Sequence, residues 1–282
     1  MVRAMFSVHN FCRRLLDAGD LATKLAPPLA EDGSPLVDLP AAPLRIDRPA
    51  RVPGIRLHQG AEKLPRLKEL VAADARAATL ARFAHHELLA VELFAWALLR
   101  WPDLPPPLRR GFLLTLAEEQ AHLSLYLGRL EALGSRLEDH RLSDYLWKHL
   151  PAIERGGPLA FLAAMGLTFE QANLDFSLLY RDAFRGVDDE ESALVLQRVH
   201  DDEIGHVKLA AHWFGRLKAP SRSDVEAYVE VIPFPLSAAR AKGRRFDVAA
   251  RRKAGLSEEM IEHVRSARPY ERAVFRPGGE AK

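Results

Sequence analysis

The apolar residues of the chain recur every three or four positions over four long stretches, which is the period of an amphipathic α-helix. No stretch shows sustained alternation of apolar and polar residues, so the pattern predicts an all-α fold with almost no strand. The predicted helices begin between Leu64 and Ala73 and run to about Trp101, then run from the prolines at 105–107 to Gly134, from Gly157-Pro158 to about Arg185, and from Asp188-Asp189 to about Lys218.

The connections between these four helices are short, long and short in chain order. Pro102-Asp103 ends the first helix and the second begins within a few residues, so these two helices should be antiparallel neighbours. About 22 residues separate the second helix from the third. They are enough to carry the chain across the molecule, with a short helix capped by Ser143. This order predicts a ferritin-like four-helix bundle with one crossover connection.

The sequence divides into an N-terminal part (1–60), the bundle (61–220) and a C-terminal extension (221–282). The prolines of segment 27–60 exclude helix and central strand. This segment is therefore predicted to be an extended arm that lies on the bundle, with a loose linker as the alternative. Further helices are predicted near Phe6 to Leu25, at Ser221 to Ile232, and from a Ser257 cap to about Ala267, followed by a tail from Arg268.

Two pairs of the form Glu-x-x-His interrupt the apolar stripes of the second and fourth helices. One helix earlier, each pair is preceded by a lone glutamate, at an interval of 32 residues in the first unit and 33 in the second. Buried ionisable groups are costly unless they are paired or bind a metal, and this arrangement matches the ligands of ferritin-like bundles. The predicted metal ligands are Glu87, Glu119, His122, Glu170, Glu203 and His206.

Four carboxylates and two imidazoles suit two iron ions, or manganese ions, because these metals accept hard oxygen and borderline nitrogen ligands. Four carboxylates also offset the charge of two divalent ions, so the centre can be buried. The symmetry of the repeat suggests that Glu119 and Glu203 bridge the metals, as the catalytic carboxylates, and that Glu87 and Glu170 are terminal ligands.

We expect different roles for the other polar residues near these ligands. Asp202 and Glu118 are each predicted to accept a hydrogen bond from the second nitrogen of a ligand histidine, with a solvated helix face as the alternative. Glu92 lies about 140° around the helix from Glu87, so it is expected to pair with an arginine, and replacing Glu87 is the alternative. Structural or packing roles are expected for His85, His86, His200 and Tyr126, the last with a radical relay or a substrate contact as the alternative.

The composition adds limits on the class of protein. Hydrophobic residues make up 48% of the chain, and the formal net charge of +2 argues against a molecule built to bind polyanions. Cys12 is the only cysteine, which excludes an internal disulfide and favours a reducing compartment. No apolar run approaches the roughly 20 residues that span a bilayer, and no signal peptide is predicted. We therefore expect a cytoplasmic protein without a membrane partner.

Four stretches around these residues resemble a known family: FAHHELLAVELF (83–94), LAEEQAH (116–122), FEQANLD (169–175) and DDEIGHV (201–207). They are similar to a bacterial ferritin-like family that is usually described only as a domain of unknown function. They are similar, more distantly, to the diiron hydroxylases that act on a hypermodified tRNA adenosine. The resemblance covers roughly residues 60–220, with a weaker echo at 246–255. It implies an all-helical diiron fold with the same six ligands, and it leaves the reaction open.

We expect an enzyme of the diiron oxygenase or oxidase class, which activates dioxygen to oxidise a small-molecule or modified-nucleoside substrate. Two complete Glu-x-x-His pairs favour it over the alternative, an iron-handling or peroxide-scavenging protein of the ferritin–rubrerythrin type. A homodimer is compatible with the sequence. A tRNA partner is less favoured than a basic face that closes over the bundle or binds a carboxylate substrate. Either role would fall to the basic cluster, defined as Arg240, Lys242, Arg244, Arg245, Arg251, Arg252 and Lys253.

Overall fold

The structure is a computed structural model that describes residues 7–60 and 63–269. The described residues are mainly helical, which confirms the all-α prediction. Their named strands are only the parallel pair β1 (Leu57–His58) and β2 (Leu142–Ser143). The helices are α1 (Val8–Asp17), α2 (Leu21–Lys24), α3 (Ala73–Arg100), α4 (Pro106–Ala132), α5 (Leu150–Ala164), α6 (Gln171–Arg185), α7 (Glu190–Leu217), α8 (Asp224–Val231), α9 (Val248–Lys253) and α10 (Glu258–Ser266). Short 3-10 segments lie at Pro53–Ile55, Leu67–Val71, Leu137–Asp139, Trp147–His149 and Ala238–Ala241.

Two helical hairpins form the centre of the molecule. Residues 101–105 join α3 to α4, and residues 186–189 join α6 to α7, so each pair packs as close neighbours in the chain. α4 also packs on α7, which brings the two hairpins together. The rings of Phe94, Phe112 and Phe161 lie 5.4–5.6 Å apart in the apolar core. The inner faces of the long helices therefore share one interior.

The ends of the long helices follow the residues that favour stops and caps. Gly134 has a φ of +72° directly after α4, a conformation that favours glycine. Gly186 is the C-cap of α6. Asp189 caps α7, because its carboxylate accepts a hydrogen bond from the Ser192 N–H at 3.1 Å. Asp188, at the predicted start of this helix, lies outside it and adopts a φ of +59°.

The N-terminal helix differs from the prediction. The segment is divided into α1 and α2, because the backbone is extended at Ala18. The arm passes at this break, where the Gly19 carbonyl accepts a hydrogen bond from the Val52 N–H at 3.0 Å. A Cβ on Gly19 would approach that nitrogen to 2.8 Å, so the close crossing needs glycine. Phe6, at the predicted start, and the tail beyond residue 269 lie outside the described residues.

The crossover between the hairpins also differs in part. Ser143 does not cap a helix: it lies in β2, and its hydroxyl accepts a hydrogen bond from the Tyr145 N–H at 3.0 Å. The crossover helix α5 begins at Leu150 and is broken at Gly157, which has a φ of +71°. The break coincides with the predicted start of the third long helix. Pro158 follows it and begins the uninterrupted part of α5.

A π-helical turn, Met165–Glu170, joins α5 to α6. It lies against α7, where Gly166 allows the close approach, because a Cβ on this residue would collide with the Ala210 Cβ. The Thr168 hydroxyl lies 2.7 Å from a carbonyl oxygen of α5 and 2.7 Å from the Tyr228 hydroxyl of α8. Such π turns within helices are frequent at functional sites, and this one ends at a predicted metal ligand.

The proline-rich arm is docked on the helices. The Leu44 N–H donates a hydrogen bond to the Leu99 carbonyl at 3.0 Å. The Arg109 guanidinium of α4 donates two hydrogen bonds of 2.7 Å to the Asp38 carboxylate. These bonds attach the arm to both helices of the first hairpin.

Glu92, on the buried face of α3, attaches the proline-rich arm to this helix. Its carboxylate is fully buried and accepts hydrogen bonds from Arg51 at 2.8 and 2.9 Å and from the Trp147 indole at 3.1 Å. The Lys24 ammonium lies 3.0 Å from the same carboxylate. Glu92 is thus paired with an arginine, as expected.

A second buried ion pair holds the C-terminal extension. The Arg251 guanidinium donates hydrogen bonds of 2.7 and 2.9 Å to Asp175 of α6, and both side chains are fully buried. The same carboxylate accepts from the N–H groups of Gly243 and Asp247 at 2.9 and 2.7 Å. Arg251 also stacks on Phe246, 3.8 Å from the ring centroid. Both the carboxylate and the guanidinium therefore have further partners besides each other.

Removal of this guanidinium should destabilise the protein strongly. We expect Arg251→Met to lower the free energy of unfolding by about 3–5 kcal/mol, because it leaves the Asp175 charge buried without a partner. The matched control is Arg252→Met, since Arg252 pairs with Glu258 at the surface and exposed pairs contribute little. Urea denaturation measures both variants, and equal effects of the two would contradict the expectation.

Candidate metal centre

The six predicted ligands lie together in the interior between the long helices. Each of their side chains belongs to a residue that is at most 4% exposed. The apolar stripes that bury the helices therefore also bury these groups. The residues are Glu87 on α3, Glu119 and His122 on α4, Glu170 at the end of the π turn, and Glu203 and His206 on α7.

The ligand atoms form two overlapping groups. Within each group, one oxygen or nitrogen from every residue lies within 4.8 Å of the others. Two carboxylates, Glu119 and Glu203, belong to both groups. The two groups overlap through these shared carboxylates, and their geometry is compatible with metal binding. The groups are Glu87, Glu119, His122 and Glu203, and Glu119, Glu170, Glu203 and His206.

Both histidines are oriented from outside the cluster. His122 Nε2 lies 3.1 Å from the Asp202 carboxylate, and His206 Nε2 lies 2.8 Å from the Glu118 carboxylate. Because a carboxylate accepts, each Nε2 carries a hydrogen, and Nδ1 faces the cluster. His206 Nδ1 lies 3.1 Å from an oxygen of Glu119 and 3.1 Å from an oxygen of Glu203, so it carries a second hydrogen when no metal is bound, which agrees with the raised pKa of this imidazole. The predicted hydrogen bonds of Asp202 and Glu118 are confirmed.

The pKa values of these residues reflect several acidic side chains buried close together. Burial, then repulsion by neighbouring glutamates, raises the pKa of Glu87 and of Glu170 well above the ordinary value. Burial also raises the pKa of Glu119, but the adjacent histidines outweigh it and lower that pKa overall. Burial lowers the pKa of His122 and His206, and the glutamates outweigh it and raise both values. The cluster therefore attracts positive charge.

Several buried polar atoms in the cluster have no hydrogen-bond partner among the described residues. They are both carboxylate oxygens of Glu119, Oε2 of Glu87 and Nδ1 of His122. Unsatisfied buried polar atoms are costly, and a cation would satisfy all of them at once. The chemistry and burial of these residues are therefore compatible with a metal site.

Asn173 is a further residue of the site that the sequence reasoning did not single out. Its Nδ2 donates a hydrogen bond to Glu203 Oε1 at 3.0 Å and lies 3.5 Å from Glu170 Oε2. A signal was present, because Asn173 follows Glu170 by three residues, which is the spacing of the Glu-x-x-His pairs. The side chain links the carboxylates of α7 and the π turn.

A cavity of about 390 Å³ adjoins the cluster. Its wall is mainly apolar and includes five aromatic side chains, and Glu87 and Asn173 form the part that belongs to the metal cluster. Pockets of about 300–1,000 Å³ are typical of small-molecule sites. The aromatic side chains are Phe83, Tyr126, Tyr145, Phe169 and Phe176.

The remaining candidate residues lie around the cluster and not in it. His85 Nε2 contacts the Ser143 carbonyl at 2.7 Å, and burial lowers its pKa to about 3. His86 lies in the cavity wall, and burial, aided by Arg240, lowers its pKa to about 4. His200 lies 3.2 Å from Asp201, outside both ligand groups. Tyr126 lines the cavity, and burial, then Glu87, raises its pKa.

The basic cluster is not a continuous exposed surface. Arg251 is buried against Asp175 and cannot contact a phosphate, which corrects the RNA-binding alternative at this residue. Arg245 pairs with Asp182 and Arg252 with Glu258. The Arg240 side chain forms part of the wall of the cavity. The extension thus packs on the second hairpin through Arg251 and Arg245, and Arg251 does not belong to the solvated basic face that was expected.

Comparison with known proteins identifies one family. Its profile, described as "Protein of unknown function (DUF455)", matches residues 13–262. No curated protein and no solved structure matches the chain significantly. Among the described residues, no helix is long and apolar enough to cross a membrane.

Without metal, the protein should lose stability as the pH rises above about 7. Here the histidines whose pKa values burial lowers, such as His85 and His86, are neutral in both the folded protein and the unfolded chain. The raised pKa values of the buried glutamates and of His206 then make the folded protein bind more protons than the unfolded chain, so stability falls with pH. Each unit of raised pKa contributes about 1.4 kcal/mol. Urea unfolding at several pH values measures the slope. Glu87→Gln should reduce it, and an unchanged slope would count against this cause.

Loss of the outer carboxylates should weaken metal binding without removing a ligand. We expect Asp202→Asn and Glu118→Gln each to lower metal affinity by about 10- to 100-fold, because the ring nitrogens lose their orienting partners. Asp201→Asn is the matched control on the same helix, since Asp201 contacts Gln197 and His200 and no predicted ligand. Competition with a chelator measures the affinities. Three equal affinities would show that orientation is unimportant.

Proposed function

The chain belongs to the family described as "Protein of unknown function (DUF455)", and on this premise we propose that it is a diiron enzyme that uses dioxygen to oxidise a small organic substrate. One observation carries the proposal: two overlapping buried Glu/His groups share two carboxylates and adjoin an apolar cavity. A pair of metal ions beside a substrate-sized space is the arrangement that an oxygenase or oxidase needs.

The proposal includes a ferritin-like assignment of the four long helices. Two hairpins joined by a long crossover have the order of connections of such bundles. Glu87 and Glu170 come from the first helix of each hairpin, and the Glu-x-x-His pairs come from the second. This distribution is the one described for dinuclear carboxylate proteins of that fold, and it supports the assignment.

The ligand types admit iron, and the proposed use of dioxygen is the reason for choosing it over manganese. Carboxylate oxygens with neutral imidazole nitrogens suit iron and also manganese, and the chemistry that iron supplies when bound is the reduction of dioxygen. Glu119 and Glu203 would hold both ions, since each belongs to both groups. The other four residues would each hold one ion: Glu87 and His122 in the first group, and Glu170 and His206 in the second.

The residues around the ligands have distinct roles in this proposal. Asp202 and Glu118 keep the two imidazoles in one tautomer, with Nδ1 inward. Asn173 donates to Glu203 and limits the movement of that carboxylate. The mainly apolar wall of the cavity would limit the access of bulk water to a bound substrate. The substrate would enter beside Glu87, which lines the cavity.

The cavity favours oxidation of an organic molecule over iron storage. A storage protein needs a route for ions and a shell of many subunits, and an aromatic pocket beside the metals serves neither purpose. Size-exclusion chromatography separates the two functions, because a hollow shell would elute at hundreds of kilodaltons. A monomer or small oligomer is expected under the proposal.

Iron loading provides the direct test. Anaerobic addition of ferrous iron should give about two ions per chain, with one quadrupole-split Mössbauer signal of a coupled pair after oxygen is admitted. His206→Ala should reduce the content to about one ion. His200→Ala, a buried histidine of the same helix outside both ligand groups, should keep the full content. Iron bound at full stoichiometry without any oxygen uptake would exclude the oxygenase function.

A further inference from the structure

Among the described residues, one glutamate and two arginines line the cavity beside the metal centre. Of the described residues that line it, Glu87 is the acidic one and belongs to the metal cluster, whereas Arg82 and Arg240 bring positive charge. The remaining wall is largely apolar. A ligand that fills this space therefore meets apolar surface along its body and a cation at one side.

Arg240 has the environment of an anion-binding residue. Its Nε donates a hydrogen bond of 3.1 Å to the Tyr145 hydroxyl, and its guanidinium lies 5.6 and 5.7 Å from the ring centroids of Tyr145 and Phe169. Among the described residues, no carboxylate lies within 4.0 Å of an Arg240 nitrogen. A half-buried guanidinium on aromatic rings, without a counter-ion, is suited to bind a carboxylate with two parallel hydrogen bonds.

The fold holds Arg240 in this position. The residue lies in the short 3-10 segment Ala238–Ala241. The Ala241 carbonyl accepts a hydrogen bond from the buried Arg251 at 3.0 Å, and the Gly243 N–H donates to Asp175 at 2.9 Å. Both bonds lie at the C-terminal end of the segment and limit its motion there. The guanidinium is thus preorganised, which lowers the entropic cost of binding.

We propose that the cavity binds an organic monocarboxylic acid with an apolar body, and that Arg240 binds its carboxylate. The acid group lies at the wall formed by the C-terminal extension, and the apolar body extends along the aromatic side chains to Glu87. The inference rests on the proposed function only for the fate of this acid, since the apolar part then lies nearest the metal centre. Binding itself depends on the cavity and on Arg240.

The test compares acids with their uncharged amides. Isothermal titration measures binding of 4-phenylbutyrate, decanoate and the two corresponding amides at millimolar concentrations to the full-length protein. At least one acid should bind about 10- to 100-fold more tightly than its amide, because the amide loses a charge-assisted pair of hydrogen bonds. Arg240→Gln should remove the preference, and Arg240→Lys should keep part of it. Arg244→Gln, an exposed arginine of the same extension, should keep all of it.

Three results would overturn the inference: equal binding of acid and amide, a preference that survives Arg240→Gln, or no binding of either acid. Tighter binding of phenethyl phosphate than of the acids would also overturn it, in favour of a phosphate ester. Iron content is measured on the same samples. Acid preference in a protein that binds no iron would refute the proposed function alone, and two ions per chain without acid preference would refute this inference alone.

Discussion

The interior of this protein depends on how four buried glutamates are kept together. Isolated buried carboxylates are costly, and like charges at short distance raise the cost further. The chain supplies part of the compensation: His122 and His206 stand among the glutamates, and Asp202 and Glu118 hold them in place. The oxygens of Glu119 make no hydrogen bond of good geometry among the described residues, although His206 Nδ1 lies 3.1 Å from one of them. Bound cations would offset the charge of these glutamates, and the buried group is compatible with a metal site.

Most of the helical framework could be predicted because it is encoded locally. Helical periodicity, proline stops and the Glu-x-x-His repeat depend on residues close in sequence, so the long helices and the six candidate ligands could be located without a structure. The two carboxylates shared by both groups, Glu119 and Glu203, follow the symmetry of that repeat.

What could not be predicted depends on contacts between distant segments. The cavity combines side chains from separate helices with Arg240 of the extension, and no local pattern shows that they meet. The role of Asn173 becomes apparent only when Glu203, thirty residues later, lies beside it. Ser143 failed as a predicted cap because pairing with β1 recruits it into a strand. In each case a tertiary contact outweighed the local preference.

In each of the two hairpins, a buried ion pair between an acid and an arginine holds a segment that lies outside the hairpin. Glu92 follows Glu87 by five residues, and Asp175 follows Glu170 by five. Five residues turn a helix by about 140°, so each second acid faces away from the metal cluster. Glu92 binds Arg51 of the N-terminal arm, and Asp175 binds Arg251 of the C-terminal extension. Each helix therefore carries one acid for the centre and one for the covering segment.

The π turn that ends at Glu170 changes the direction in which the side chains of this helix point. A turn with hydrogen bonds to the fifth residue accommodates one residue more than an α-helical turn, and one residue corresponds to about 100° of rotation. The register of the third long helix therefore changes between Met165 and Glu170. A chain shorter by one residue here would form a more regular helix and would direct this carboxylate away from its partners.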